Sequence, residues 1–161
     1  MSKYDSEYKL AICSNGHEYS AYVELDETVN KFCTVCGEKL ITQCPHCDAF
    51  IPGYRGYKGI IGVWRGPHEA YCESCGKPMP WTEHALSAAN ELIALSGLSD
   101  PEKHDLVVSV QDLVTDSPRS SVAVTRLKLF SGKIGSAVMN GLRDVLVDVL
   151  SEATKKAIWG A

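Results

Sequence analysis

The sequence predicts an α+β protein, with short β-hairpins in its first half and an α-helical region of three or four helices after them. Three observations carry this. All seven cysteines lie between Cys13 and Cys75. Six of them fall in the matched runs "FCTVCG", "QCPHCD" and "YCESCG", where glycine and aromatic residues crowd the chain. Beyond Trp81 the cysteines stop and apolar residues recur at helical spacing.

The change of pattern falls at "GKPMPW", where Pro78 and Pro80 interrupt regular structure. This sets an N-terminal domain at 1–80 and a helical domain at 81–161. The opening "MSKYDSEYKL" is charged and has no apolar core, so it does not read as a signal peptide. The uncharged stretch from Ile134 to Leu142 is far below the roughly 20 residues of a membrane span. A cytoplasmic chain with no membrane insertion is expected. In a reducing compartment paired cysteines more often bind metal or do redox work than form disulfides, and an odd count forbids complete pairing.

Zinc takes four ligands in a tetrahedron, commonly thiolate sulfur and imidazole nitrogen. Two cysteines separated by two residues can reach one ion from a single tight turn, and Gly37 and Gly76 relieve that turn just after the second cysteine. Cys13 alone lacks a CxxC partner. Behind it stands Asn15-Gly16, a tight-turn dipeptide, and then His17. With His17 the count becomes eight ligands for two zinc ions. His68, four residues before Cys72, is the best rival for the eighth place. His46, His84 and His104 are weaker rivals, and water or an open position could also stand there. Pairing in chain order gives Cys13, His17, Cys33 and Cys36 for one ion, and Cys44, Cys47, Cys72 and Cys75 for the other. The 15 residues between His17 and Cys33 open with an alternating pattern suited to a hairpin between two knuckles. The seven residues "GEKLITQ" before Cys44 suit a strand joining one ribbon to the next. The expected N-terminal architecture is two tandem zinc ribbons.

On "FCTVCGEKL", "CPHC" and "YCESCGKPM" the chain resembles a double zinc ribbon, departing from it in the first knuckle, where C-x3-H replaces CxxC. Over nearly its full length it also resembles a bacterial family of uncharacterised proteins, domain of unknown function 2321. That likeness rests on "CSNGH", "FCTVCGEKLITQCPHC", "YCESCGKPMPWTE" and "VLVDVLSEATKKAI". The resemblance implies zinc ribbons plus a helical region and supplies no activity.

In the helical half, Thr82 is the expected N-cap of a helix that Gly97 stops. "SDPE" at Ser99–Glu102 fits a capping box opening a second helix, with Leu106, Val107, Val110, Leu113 and Val114 on one face. Ser117-Pro118 starts a third. Its stripe of Ala123, Leu127, Phe130, Ile134 and Val138 continues through Leu142, Val145, Leu146, Val149, Leu150 and Ala153. Gly132 and Gly135 each cost about 1 kcal/mol in a helix interior, so a kink or a short turn is expected there. The stripe reads as a core face, with self-association as its second use.

No P-loop, GxSxG or HExxH is present. Eight ligands on two ions leave no open position for catalysis. One segment could meet a ligand: the hairpin expected at 53–66 has no acidic residue and alternates Tyr54, Arg55, Tyr57, Lys58, Trp64 and Arg65. Cations hold phosphate and aromatic faces stack on bases, so nucleic acid is a second candidate partner. The net charge of −4 opposes it, and seven thiolates holding two zinc ions would bring the chain to about −7. Acidic and basic residues are balanced alike in both halves. The expected function is a non-enzymatic, zinc-binding interaction or adaptor module, with a protein partner or self-association through the C-terminal helices. A zinc–thiolate redox switch and an enzyme of unrecognised type are less favoured readings of the same residues.

Overall fold

The computed structural model describes residues 3–61 and 68–160. The chain divides into two compact units, Met1–Trp81 and Thr82–Ala161.

The first unit is organised on one long strand, β1 (Tyr4–Cys13), whose last five residues are all buried. β2 (Glu18–Val23), β3 (Leu40–Ile41) and β4 (Pro52–Tyr57) each pair with it antiparallel. Registers include Lys9 opposite both Val23 and Pro52, and Cys13 opposite Leu40. The hairpin expected after His17 lies one step earlier: β1 and β2 are its arms, and the turn joining them is the Cys13–His17 knuckle itself. "GEKLITQ" contains β3, the short strand expected between ribbons. Pro52–Tyr57 is a strand of the central sheet. Gly53 is required there because a Cβ would lie 2.4 Å from the Ala21 carbonyl oxygen and 2.6 Å from that of Lys9. Backbone atoms leave no room for the shift a side chain would need.

The second unit is helical, with five helices among the described residues against an expected three or four. They are α1 (Pro80–Ala94), α2 (Asp100–Thr115), α3 (Ser120–Ser131), α4 (Ser136–Leu146) and α5 (Glu152–Trp159). α1 starts two residues before the expected N-cap: Pro80 occupies the first turn, where its missing N–H costs nothing, and Thr82 is buried. The capping box of α2 is present, with the Glu102 carboxylate accepting from the Ser99 N–H at 3.0 Å and from its hydroxyl at 2.9 Å. Leu106, Val110, Leu113 and Val114 are buried as expected.

The long apolar stripe breaks twice. One break is at Gly132–Gly135, as the glycines predict. The other is at Val147–Leu150, where Ser151 caps a new helix by accepting from the Thr154 N–H at 3.2 Å. That restart rotates the register, so Ala153 is exposed and Thr154 takes the buried place. Within the unit α2 packs on α3 and α3 on α5. Gly141 of α4 lies so close to Leu92 of α1 that a Cβ would meet that side chain at 3.0 Å. No helix among the described residues is long and apolar enough to cross a membrane.

Candidate metal centres

Three knuckles repeat one hydrogen-bond pattern. The N–H of the first cysteine donates to the carbonyl five residues on: Cys33 to Glu38 (2.7 Å), Cys44 to Ala49 (2.8 Å) and Cys72 to Lys77 (2.9 Å). The residue four places on donates back to the cysteine carbonyl, each time at 2.9 Å: Gly37 to Cys33, Asp48 to Cys44 and Gly76 to Cys72. Closing the turn needs positive φ at that residue, 77°, 60° and 72° respectively. Glycine adopts it without strain, and aspartate is among the few L-residues that tolerate it. A β-bridge one residue outside clamps each knuckle: Phe32 to Lys39, Gln43 to Phe50, Tyr71 to Pro78. The tightened backbone also aims N–H groups at sulfur. Val35 donates to Cys33 Sγ and Ser74 to Cys72 Sγ, both at 3.4 Å.

The Cys13 knuckle is one residue tighter. Its N–H donates to the carbonyl four residues on, at His17 (3.1 Å), and the return bond comes from Gly16 (3.0 Å). The second ligand correspondingly moves from the third to the fourth following residue, where the longer reach of an imidazole serves in place of a thiol. His17 N–H also donates to Cys13 Sγ at 3.4 Å.

These turns, joined through β1 and β3, gather the donor atoms into two groups. Cys13, His17, Cys33 and Cys36 form one, and Cys44, Cys47, Cys72 and Cys75 the other; within each, the ligand atoms all lie within 4.8 Å of one another. In the first group His17 Nδ1 is 3.5 Å from Cys13 Sγ and 3.6 Å from Cys33 Sγ, and the Cys13 and Cys36 sulfurs are 3.7 Å apart. In the second, Cys44–Cys75 is 3.9 Å and Cys47–Cys72 is 3.8 Å. A tetrahedral ion with metal–sulfur bonds of about 2.3 Å has sulfur–sulfur edges of about 3.8 Å. A disulfide would bring the sulfurs to about 2.05 Å, and all seven cysteines are free. Both groups can therefore hold a metal ion, and their donors are consistent with zinc.

Burial separates the ligands. Cys13, Cys33 and Cys44 are buried, while Cys36, Cys47 and Cys75 are exposed at the knuckle tips. Cys13, Cys33 and Leu40 form a small apolar cluster with Val29 packed against it. Burial pushes the Cys13 thiol up. The Glu38 backbone N–H, helped by the Asn15 side chain, brings Cys36 down to about 6. In the second group burial raises Cys72, but backbone N–H groups of Cys75 and Ser74 outweigh it and bring that thiol to about 7. Each group thus contains one sulfur disposed to ionise near neutrality, and metal binding must displace the remaining thiol protons.

Chain-order pairing and His17 are the arrangement the structure brings together; His46, His68, His84 and His104 lie outside both groups. His68 instead packs edge-on against Trp81 at 4.9 Å, with Nδ1 3.4 Å from the Glu18 carboxylate.

Of the six residues of the basic-aromatic segment, four are described: Tyr54, Arg55, Tyr57 and Lys58. Trp64 and Arg65 lie outside the described residues. Tyr54 stacks on Tyr22 at 5.2 Å and leans on Tyr8 at 6.3 Å. Tyr57 meets Tyr4 edge-on at 5.0 Å, and Lys58 is exposed in the turn after β4. Arg55 is held by two carboxylates, Glu7 at 2.8 Å and Glu73 at 2.6 and 3.0 Å, with its guanidinium 4.8 Å from the Tyr4 ring. Its cation is already matched. Glu7 and Glu73 carry no local signal in the sequence, because they stand 48 and 18 residues from Arg55.

A small antiparallel sheet carrying two four-ligand groups, with five helices in a second unit, defines an α+β protein whose clusters are consistent with a double zinc ribbon. The chain belongs to the family described as "uncharacterized protein conserved in bacteria" (DUF2321), whose model matches residues 6–158. No curated protein and no solved structure matches it.

Proposed function

We propose that the chain is a non-enzymatic interaction module of the bacterial cytoplasm, in which two structural zinc ions fix the N-terminal unit and the helices contact a protein partner or a second copy. The observation that supports this is the completeness of both ligand sets: each group offers four protein donors, whereas a catalytic zinc commonly has three and keeps a place for water. Zinc then acts as a crosslink, joining knuckles that are distant in sequence, where the strand between the two ribbons, β3, is only two residues long.

Chelation tests the structural role. Removing zinc should unfold the N-terminal unit, seen as loss of β circular dichroism, and added zinc should restore it. An N-terminal unit that stays folded with its metal stripped contradicts the proposal. For the helical surface, Val149 is buried, so a charge there would perturb folding rather than report association. Leu129 of α3 is 73% exposed and serves instead. Leu129→Glu should leave helicity intact and shift the sizing-column profile toward monomer if copies associate through α3.

Nucleic acid is the less supported reading, because Arg55 is matched by Glu7 and Glu73. No salt-dependent RNA or DNA binding by the native chain would dispose of it, and unchanged binding in a Lys58→Ala, Arg65→Ala variant would dispose of the 53–66 segment as its site.

A further inference from the structure

Lys9 lies in the middle of β1 and is only 8% exposed. Its ammonium donates to the Glu27 carbonyl oxygen at 2.6 Å. Among the described residues no carboxylate pairs with it. An ammonium has three donors, and a charge taken from water is costly unless it is matched. Lys9 lines a groove of about 480 Å³, within the size range of small-molecule sites. One wall is the Leu25–Val29 loop, the other the link from Lys39 to Gln43 with Pro45. Three acidic side chains, Asp26, Glu27 and Asp48, also line it with a second cation, Lys39, and all four are exposed, so the exposed charge of the lining is net acidic.

We propose that this groove binds the terminal carboxylate of an amino acid or short peptide, with Lys9 as the anchoring cation. A single negative charge completes the Lys9 ammonium at the buried position. The acidic residues repel polyanions such as nucleotides and favour a ligand whose carboxylate is followed by N–H donors, amide or ammonium. The exposed side chain of Thr28 and the half-buried Thr42 add hydroxyls along the walls.

The test is an amide NMR titration of the zinc-loaded full chain with glycine, triglycine, triglycinamide and inorganic phosphate. Saturable shifts at Lys9, Thr28 and Thr42 with triglycine are expected, with at least tenfold weaker binding of triglycinamide, whose terminus carries no charge. Binding of glycine as tight as triglycine identifies a free amino acid as the ligand; tighter triglycine binding identifies a peptide end. Lys9→Met should abolish the shifts; if that variant does not fold, the triglycine–triglycinamide comparison on the native chain decides alone. No saturable shift with either carboxylate, equal binding of triglycinamide, or a response to phosphate alone overturns the proposal.

Discussion

Arg55 and Glu73 form a two-pronged ion pair, with Nη2 2.6 Å from Oε1 and Nη1 3.0 Å from Oε2. Glu73 sits between Cys72 and Cys75, and Arg55 sits on β4, where it also holds Glu7 of β1. The last knuckle is thereby tied to the sheet by side chains as well as by its cysteines. Arg55 is pushed upward by Glu73, and the Arg55 guanidinium holds Glu73 below the usual carboxylate value.

Because the Glu73 side chain is 51% exposed, Glu73→Gln should cost less than about 1 kcal/mol at neutral pH in denaturant unfolding. Arg55→Ala leaves two carboxylates unmatched and should cost more, about 1–2 kcal/mol. The sign with pH follows from the lowered Glu73 value. Its contribution is present above about 4.5, the unfolded carboxylate value, and fades as pH falls below it. The difference between native chain and Glu73→Gln should shrink accordingly on acidification.

Glu102 behaves in the same way in the helical unit. The Lys133 ammonium and the Ser99 N–H and hydroxyl bring its carboxyl down to about 2. Its contribution is full above about 4.5 and disappears as pH falls through about 2. Glu102→Gln should therefore melt below the native chain at pH 7 and level with it near pH 2, measured by helical circular dichroism.

Backbone geometry gives two opposite outcomes. Gly53→Ala drives a Cβ into the Ala21 and Lys9 carbonyls, and should destabilise by about 1–3 kcal/mol or prevent folding. Asp48→Gly keeps the knuckle and removes the cost of φ at 60°, so it should stabilise by about 0.5 kcal/mol without loss of metal. Chemical denaturation with metal analysis reads both.

His17 and His68 separate by metal content. Loss of the His17 imidazole from a group built on three sulfurs should leave one tightly held ion per chain. His68→Ala should retain two, since that ring packs on Trp81 outside both groups. The opposite pattern would make His68 the ligand.

Chemistry of short sequence range was legible: three CxxC knuckles, the Asn15-Gly16 turn that returns His17, the Ser99 capping box and the break at Gly132–Gly135. The early N-terminus as a strand was not, because "YDSEYKLAIC" mixes charges with apolar residues and is ordered by pairing with three distant segments. The fifth helix was hidden because the apolar stripe runs unbroken in sequence through Val149 and Leu150. Only Ser151 and Thr154 mark its restart. The pairing of Arg55 was not legible for a related reason: composition shows it as available charge, and only the folded register supplies Glu7 and Glu73.

X-ray absorption at the zinc edge of the purified chain tests the central claim most directly. Two ions sharing seven sulfurs and one nitrogen predict a first shell dominated by sulfur at about 2.3 Å, with a minor nitrogen contribution near 2.0 Å that vanishes in His17→Ala. A shell dominated by oxygen or nitrogen, or a chain that carries no zinc, would contradict it.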